Sequence, residues 1–513
     1  MFKLVFDSFV SKDHSNRALL VVLGFSLIIK ALMIYQVEII NPDGIRYINS
    51  AHELFRGNIS AAFAHEKMLG YTFLLGLTQS LVSSWYLAGK ILSSVALLMT
   101  TVPLYSIALE LFGRRPAFYT ALVFTVVPHI NSRSGDVIKE PVSLFLMVLT
   151  VWLAMSALKK SDWRFSLAAG LVCCLSVLVR PEGIVLFLII LVFWVVDTVF
   201  SPAHRRDSLK SAAGFSALPL AGLCLICLLF VLGVLHNNLM FSVHERFSDY
   251  LQTDLFEIYS SIYDHLKSVE KSFPGGEWTN DFFELARYNI FIIYLLGMLQ
   301  VFAKSLFPVF VIPLFYGLRL RNFWSSPLVL LLFVLCGFLL MDYVFLVSRN
   351  FVTGRYMIVP LTLSYVLVGH GLDRIITALE NVRYSRAAIL ITAVLCVLLP
   401  LSNGFAKVSP QKLEIKLAGQ WLRESQNLSM SRMLVTEERV AYYAGLLRTD
   451  YVTSSDSDLQ SLASKAVQND CDMIVLYRRN SNFSGLSDPK EFQFVKEFPG
   501  HKRTVKIYAR RGP

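Results

Sequence analysis

Apolar residues along this chain gather in long runs, separated by shorter polar segments that carry most of the charge. A helical run of about 20 apolar residues spans the hydrocarbon core of a bilayer. The pattern predicts a polytopic α-helical membrane protein with about eleven transmembrane helices. The predicted spans are residues 18–38, 85–112, 117–131, 140–158, 165–180, 184–200, 214–235, 289–317, 326–346, 355–372 and 386–403.

The composition supports this class of protein. Of the 513 residues, 55% are hydrophobic and only 17% are charged, whereas soluble proteins carry about 25% charged residues. A single soluble core does not explain so many separate apolar runs. The few cysteines show no disulfide framework and no zinc-ligand spacing.

The basic residues predict an orientation for the chain. They precede the first predicted span and follow the second, fourth, sixth, eighth and tenth spans, so they all lie on one face. Lys and Arg are enriched in cytoplasmic loops. We therefore expect a multi-pass protein of the plasma (inner) membrane with a cytoplasmic N-terminus. The net charge of +11 is then a property of these loops and does not indicate nucleic-acid binding.

The opposite, outer face receives two long loops and the C-terminal segment. We expect a transmembrane domain over 1–403, with a first outer loop at 39–84 and a long outer loop at 236–288, followed by a soluble domain at 404–513. The C-terminal segment alternates strand-like and helix-like patterns, which predicts a small extracytoplasmic α/β domain. Within the first loop, 71–82 is apolar but too short to cross a bilayer, so it is predicted to lie in the interface.

Charged side chains concentrate on the outer face, at or near the ends of the predicted spans. The first outer loop begins with NPDGIRYINSAHELFRGN, residues 41–58. Ionisable groups at the edge of a membrane cost free energy unless they are paired or used, so the set as a whole indicates a functional site. The candidates are Asp43, Arg46 and Tyr47 in the first loop, Asp136, Lys139 and Glu140 before the fourth span, Arg180 and Glu182 between the fifth and sixth spans, and Arg355 and Tyr356 before the tenth span.

Each candidate also has a purely structural interpretation. Asp43 suits a Pro-Asp-Gly turn, and Glu140 and Glu182 suit helix N-termini, where negative charge is favoured. The arginines can snorkel to the interface. Asp136 shares a helix face with Glu140 only if that helix begins early; a helix that begins at Pro141 leaves Asp136 in a loop.

The order of these segments resembles the GT-C superfamily of membrane glycosyltransferases, in particular the branch of protein O-mannosyltransferases and the lipid A aminoarabinose transferase. The resemblance covers nearly the whole chain. It depends on NPDGIRYINSAHELFRGN after the first span, KEPVSLFLMVLTVWLAM and LVRPEGIVLF in the middle, GRYMIVPLTLSYVLVGHGL late in the membrane part, and AGQWLRES with RMLVTEERVAYYAG in the tail.

The resemblance implies a hexosyl- or pentosyltransferase that uses a polyprenyl-phosphate-linked sugar donor and a lipid, glycan or protein acceptor. Asp43 matches the family's acidic residue in the first loop. Glu140 matches the acidic residue in the second loop, with Asp136 as a competing candidate. Asp43 is followed by Gly44 and not by a second acidic residue, which argues against a two-carboxylate metal site in this loop. A divalent cation, Mg or Mn, bound by Asp43 and Glu140 stays open.

The chemistry implied by that donor requires few groups. A lipid phosphate is already a good leaving group, so transfer needs no general acid of the kind that glycosidases use. It needs a base for the acceptor and positive charge for the departing phosphate. We predict Asp43 as the base of an inverting displacement, with Glu140 orienting its surroundings, holding the acceptor or helping to bind a cation. The predicted phosphate ligands are Arg355, Arg180 and Lys139, and the further substrate-binding candidates are Arg46, Tyr47, Asp136, Glu182 and Tyr356.

Two other functions remain open at this point. A transporter or flippase of a lipid-linked glycan would show paired repeats, broken helices and ionisable residues at mid-membrane. No convincing repeat is present, and the charges lie at span ends on one face. A polysaccharide ligase or polymerase of another multi-span fold would share the large outer loop.

Overall fold

The computed structural model is mostly helical. It describes residues 13–200, 205–231, 255–273, 276–320, 325–381, 385–406, 412–425, 432–446, 450–456, 458–480 and 489–511. Part of the long outer loop predicted at 236–288 lies outside the described residues.

Helices make up most of the described chain up to residue 406, and five strands follow. In chain order the helices are α1 (Asp13–Gln36), α2 (Pro42–Phe55), α3 (Ile59–His65), α4 (Leu69–Gln79), α5 (Trp85–Phe112), α6 (Arg114–Val126), α7 (Pro128–Asn131), α8 (Glu140–Lys160), α9 (Trp163–Val179), α10 (Glu182–Phe200), α11 (Arg205–Val231), α12 (Leu255–Ser272), α13 (Glu277–Tyr288), α14 (Ile290–Leu306), α15 (Val311–Gly317), α16 (Ser326–Arg349), α17 (Ile358–Glu380), α18 (Ser385–Ala393), α19 (Leu399–Ala406), α20 (Leu413–Glu424), α21 (Glu438–Tyr443) and α22 (Leu459–Gln468). The strands are β1 (Met433–Val435), β2 (Tyr451–Thr453), β3 (Met473–Arg479), β4 (Phe492–Pro499) and β5 (Arg503–Arg510).

Among the described residues, six helices are long and apolar enough to cross a membrane. They are α5, α8, α10 and α16, together with the segments Arg17–Gln36 and Arg386–Ala406. The number rises to seven if α13 and α14, which meet at a bend of 75°, count as one broken span. A multi-pass membrane protein is therefore supported, while the count of about eleven spans and the orientation stay predictions.

The chain divides into two compact units, each assembled from separate segments. The first unit comprises Met1–Met33, Ser93–Ser134 and Lys139–Ala406. The second comprises Ile34–Leu92, Gly135–Ile138 and Lys407–Pro513, so it combines the predicted first outer loop with the C-terminal segment.

The core of the first unit is formed by α8 and α17, which are apolar on most of their circumference and buried along most of their length. In this unit α8 packs against α9, and α17 packs against α6 and α15. Glycines permit a close crossing between α15 and α17. A Cβ atom at Gly317 would overlap the Leu367 carbonyl oxygen, and one at Gly371 would overlap that of Pro313. Small residues let helix backbones approach in this way.

The second unit contains a five-stranded sheet with the order β2-β1-β3-β5-β4. Strand β1 is parallel to β2 and β3, whereas β5 is antiparallel to β3 and β4. Successive strand residues point to opposite faces, and both faces are covered: Met473 and Val475 pack with α20 and α21, and Ile474 and Leu476 pack with α22. A small sheet is therefore present in the C-terminal segment, where the strand-like patterns predict strands.

Candidate active site

A buried carboxylate joins two arginines in the first unit. Glu140 is the first residue of α8, and 2% of its side chain is exposed. Its Oε1 atom accepts a hydrogen bond from Nε of Arg355, and Nη1 of Arg180 lies 3.3 Å from the same oxygen. Arg355 lies only three residues before α17, and Arg180 directly follows the last residue of α9. The ends of three helices therefore meet at one carboxylate.

Arg180 is shared with a second carboxylate. Its Nε donates to Oε2 of Glu182 at 3.1 Å, and its Nη2 pairs with Oε1 of the same residue, which begins α10. The Arg180 side chain is 11% exposed, whereas 32% of the Arg355 side chain is exposed. Arg180 is thus held on two carboxylates, and Arg355 presents the more accessible guanidinium group.

A small cavity lies beside this cluster. Its volume is about 20 Å³, and Glu140, Arg180, Glu182, Ser143 and Tyr356 are among its lining residues. A cavity that holds one water molecule needs at least about 10–15 Å³. Within the described part of the chain, the second oxygen of Glu140, Oε2, is buried and has no hydrogen-bond partner. The cavity is large enough for a single water molecule to satisfy that oxygen.

Four further predicted residues belong to the second unit: Asp43, Arg46, Tyr47 and Asp136. Asp43 and Arg46 form an ion pair there. Arg46 Nη2 lies 2.6 Å from Asp43 Oδ1, and their side chains are 51% and 26% exposed. Burial lowers the pKa of Arg46, but the charge and hydrogen bond of Asp43 raise it by more, so its net shift is upward. Ion pairs with this exposure stabilise a fold by only about 0–1 kcal/mol. This ion pair therefore lies at the surface and contributes little to stability.

The interpretation of Asp43 as part of a Pro-Asp-Gly turn is wrong, because Pro42, Asp43 and Gly44 form the start of a helix. Asn41 is the N-cap of α2, its Oδ1 accepts from the backbone N–H of Gly44 at 2.6 Å, and Pro42 occupies the first helical position. Asp43 lies in the first turn, where the helix dipole favours a carboxylate. The sequence signal was present, since Asn followed by Pro is a common helix start.

The C-terminal segment contacts the residues that precede α2. The Tyr443 hydroxyl accepts from the backbone N–H of Ile40 at 2.8 Å and donates to the Glu38 carbonyl oxygen at 3.1 Å. Burial raises the pKa of Tyr443, so the hydroxyl keeps the proton it donates. Lys416 adds an ion pair with Glu38 at 3.0 Å. Contacts with the C-terminal segment therefore hold the residues just before α2 in place.

The remaining candidates have other surroundings. Tyr47 is 1% exposed and packs edge-to-face on Tyr71, whose ring centroid is 5.1 Å away, so it belongs to the core of α2 and α4. Asp136 lies in a loop, as the later of the two predicted helix starts requires, and it interacts electrostatically with Lys90. Lys139 precedes α8 and interacts electrostatically with Glu182.

Sequence reasoning missed two buried ionisable residues of the first unit. Asp342 in α16 is 1% exposed, and neither of its oxygens has a hydrogen-bond partner among the described residues. Its electrostatic neighbours are Glu182 and Arg180. Lys30 in α1 is 1% exposed and donates to Asn131 Oδ1 at 3.4 Å. Both could have been found as charged residues inside long apolar runs.

The carboxylates suggested for a divalent cation do not fit that role. Among the described residues, no group of three or more His, Cys, Asp or Glu side chains is arranged to hold a metal ion. Asp43 accepts from Arg46, and Glu140 accepts from Arg355 beside Arg180. These guanidinium groups occupy one oxygen of each carboxylate and their charge repels a cation, so the mechanism proposed below uses none.

Comparisons with known proteins agree with this architecture. The family model for dolichyl-phosphate-mannose-protein mannosyltransferase matches residues 67–235, about a third of the chain. No curated protein sequence matches the chain. The structure of ArnT from Cupriavidus metallidurans bound to undecaprenyl phosphate has a TM-score of 0.58 and 12% sequence identity, and the alignment covers 95% of this chain and 97% of that one. The fold is that of the GT-C membrane glycosyltransferases.

A second GT-C structure supports the same conclusion. The archaeal oligosaccharyltransferase AglB from Archaeoglobus fulgidus, in complex with an inhibitory peptide and a dolichol-phosphate, has a TM-score of 0.57 and 14% identity. The alignment covers 90% of this chain and 69% of that one. The resemblance to the GT-C superfamily is therefore confirmed for the fold. The family match includes Glu140, Arg180 and Glu182, whereas Asp43 and Arg355 lie outside it.

Proposed function

We propose that this protein is a glycosyltransferase that moves a sugar from a polyprenyl-phosphate donor to a lipid, glycan or protein acceptor at the outer face of the inner membrane. The observation that carries the proposal is the arginine pair held by the buried carboxylate of Glu140. It is supported by the GT-C fold, because ArnT was solved with undecaprenyl phosphate and AglB with a dolichol-phosphate.

Arg355 is the proposed ligand of the donor phosphate. A guanidinium group pairs with phosphate through two parallel N–H donors, and Arg355 is the more exposed of the two arginines. Glu140 accepts a hydrogen bond from its Nε, which orients the guanidinium group. Arg180 is neutralised by Glu182 and acts through Glu140, as a residue that positions Arg355.

Asp43 is the proposed base. An oxygen or nitrogen of the acceptor attacks the anomeric carbon while the bond from that carbon to the phosphate oxygen breaks. The electron pair of this bond leaves with the lipid phosphate, and the acceptor proton passes to the Asp43 carboxylate. Direct displacement inverts the configuration at the anomeric carbon. Arg46, whose Nη2 lies 2.6 Å from Asp43 Oδ1, orients this carboxylate before the acceptor binds.

The division into two units suits a substrate with two different ends. The donor keeps its polyprenyl tail in lipid while its phosphate and sugar reach water, so phosphate ligands at the ends of membrane helices match the depth of the phosphate group. Arg180 lies two residues before α10, and Arg355 lies six residues after α16; both α10 and α16 are long and apolar enough to cross a membrane. Asp43 lies in α2 of the predicted first outer loop, where the acceptor can bind from the aqueous side.

The proposal can be tested by reconstituting the purified protein in liposomes with radiolabelled polyprenyl-phosphate sugars and extracted envelope acceptors. We expect the wild type to release free polyprenyl phosphate in step with acceptor labelling. Asp43→Asn should lower turnover by about 10²–10⁴-fold, the range that a general base contributes. Glu53→Gln, which changes another carboxylate of α2, should leave turnover unchanged. Normal transfer by a folded Asp43→Asn protein would remove Asp43 as the base, and sugar crossing the bilayer without bond cleavage would favour a transporter.

A further inference from the structure

A second cavity lies at the opposite end of α8 from Glu140. Its volume is about 740 Å³, within the range of about 300–1,000 Å³ that small-molecule sites occupy. Lys159 lines this cavity and follows Glu140 by 19 residues on the same helix, which corresponds to a rise of about 29 Å. The cavity is therefore distinct from the candidate active site.

Three cationic side chains face this cavity. They belong to Lys159 near the end of α8, Arg319 after α15, and Arg374 in α17. Their resolved hydrogen bonds go to backbone oxygens. Lys159 Nζ donates to the Glu110 carbonyl oxygen at 3.3 Å, and Arg374 Nη1 donates to that of Arg319.

The nearby carboxylates are engaged elsewhere. Asp373 lies 3.2 Å from Arg115 Nε, and Glu380 lies 2.7 Å from Arg115 Nη2. The Glu110 side chain accepts from the Trp152 indole at 3.1 Å and from a serine hydroxyl. Glu110 and Asp373 also line the cavity, but the three cations outnumber them. Within the described residues, these cations form no ion pair with a carboxylate.

The rest of the lining combines apolar surface with one polar ring. Phe112 and Leu328 are among the apolar lining residues. The His370 ring stacks on Phe112, with centroids 4.2 Å apart. His370 Nδ1 is buried and has no hydrogen-bond partner within the part of the chain that the structure describes. A suitable ligand would carry an anionic head group for the three cations and a nearby hydroxyl group for His370. Its apolar part would contact Phe112 and Leu328.

We propose that this cavity binds a phosphate-bearing amphiphile, with the phosphate on Lys159, Arg319 and Arg374 and the apolar part along Phe112 and Leu328. Guanidinium and ammonium groups are the usual phosphate ligands of proteins. Basic pockets between transmembrane helices bind anionic lipid head groups. The expected ligand is an anionic glycerophospholipid from the membrane leaflet at this end of α8. A soluble phosphate ester would offer the same head-group chemistry. The site does not depend on glycosyl transfer.

Native mass spectrometry of the full-length protein in detergent tests the site. The probes are phosphatidylglycerol, which is anionic, and phosphatidylcholine, which is neutral overall. We expect the wild type to retain one phosphatidylglycerol with at least about 10-fold preference. The double variant Arg319→Gln with Arg374→Gln should lose that preference. Arg164→Gln is the matched control, because Arg164 is an exposed basic residue near the same end of α8 and outside the cavity lining.

A second arm distinguishes the lipid from a soluble ligand. Glycerol 3-phosphate is titrated calorimetrically into the protein in nanodiscs made of phosphatidylcholine. Binding that the double variant abolishes would identify a soluble phosphate ester as an occupant of the same site. If the double variant loses the preference for phosphatidylglycerol and glycerol 3-phosphate does not bind, the ligand is the lipid. If the double variant unfolds, Lys159→Gln decides in its place. Variants that bind both probes as the wild type does would overturn the proposal.

Discussion

Glu140 is the residue on which the arrangement of the candidate site depends most. It is nearly fully buried, and its neighbours Arg180 and Arg355 come from the ends of two other helices. A carboxylate buried between two guanidinium groups is stable only as a set, because each charge offsets the desolvation of the others. Its position also determines how the guanidinium group of Arg355, the proposed phosphate ligand, is oriented.

Glu140→Gln should therefore destabilise the protein as well as impair it. Removing one partner of a buried ion pair typically costs about 3–5 kcal/mol, since the remaining charges stay buried without compensation. Equilibrium unfolding in detergent measures the change in the free energy of unfolding. Glu284→Gln alters an exposed carboxylate of α13 and serves as the control, with an expected change within about 0.5 kcal/mol. A Glu140→Gln protein as stable as the wild type would show that the cluster is not a coupled set.

The sequence shows which charged residues lie near the ends of predicted spans. It does not show which of these residues contact one another. Glu140, Arg180 and Arg355 could be selected as outer-face charges near span ends. That Arg355 donates to a carboxylate 215 positions away depends on how α8 and α17 pack, which no local pattern contains. Asp342 was missed because it interrupts an otherwise apolar run and has no motif around it.

Among the helices, the crossing of α15 and α17 is a sharp test of packing. Gly371→Ala places a methyl group against the Pro313 carbonyl oxygen, so the helices must separate. We expect a loss of about 1–3 kcal/mol in the free energy of unfolding. Gly297→Ala is the matched control, because nothing lies within 4 Å of its Cβ position and α14 gains helix propensity. Equal effects of the two substitutions would contradict the close crossing.

The contact between α21 and the segment before α2 links the C-terminal part of the chain to the proposed base. Tyr443→Phe removes the hydroxyl that bonds Ile40 and Glu38, so the start of the Asp43 helix becomes less ordered. Small displacements of a catalytic group lower rates strongly, and we expect turnover to fall about 10-fold while the KM for the donor changes less than about twofold. Tyr442→Phe, at the neighbouring position, is the control. A change in the donor KM alone would contradict the positioning role.

Element boundaries could be predicted where local chemistry determines them. Glu140 and Glu182 were expected near helix N-termini, and each begins a helix, since a carboxylate favours the positive end of the helix dipole. The start of α2 was not predicted, because Pro-Asp-Gly was interpreted as a turn and the capping role of Asn41 was overlooked. The assembly of the first loop with the C-terminal segment into one unit depends on contacts such as Tyr443 to Ile40, which are 403 residues apart.

For the whole molecule, we propose that the first-loop carboxylate and the arginine cluster act at the same face of the membrane. The claim joins two units with different chemistry: a loop helix that carries Asp43 and helix ends that carry Arg180 and Arg355. The opposite end of α8, near Ser161, must then lie at the other face.

Labelling of single cysteines with a membrane-impermeant maleimide tests this directly, in a protein whose native cysteines have been replaced. The reporter substitutions are Arg56→Cys at the end of α2, Phe351→Cys before Arg355, and Ser161→Cys after α8; all three positions are exposed. We predict that Arg56→Cys and Phe351→Cys react in intact cells, whereas Ser161→Cys reacts only in inverted vesicles. Reaction of Arg56→Cys and Phe351→Cys from opposite sides of the membrane would contradict a shared active site.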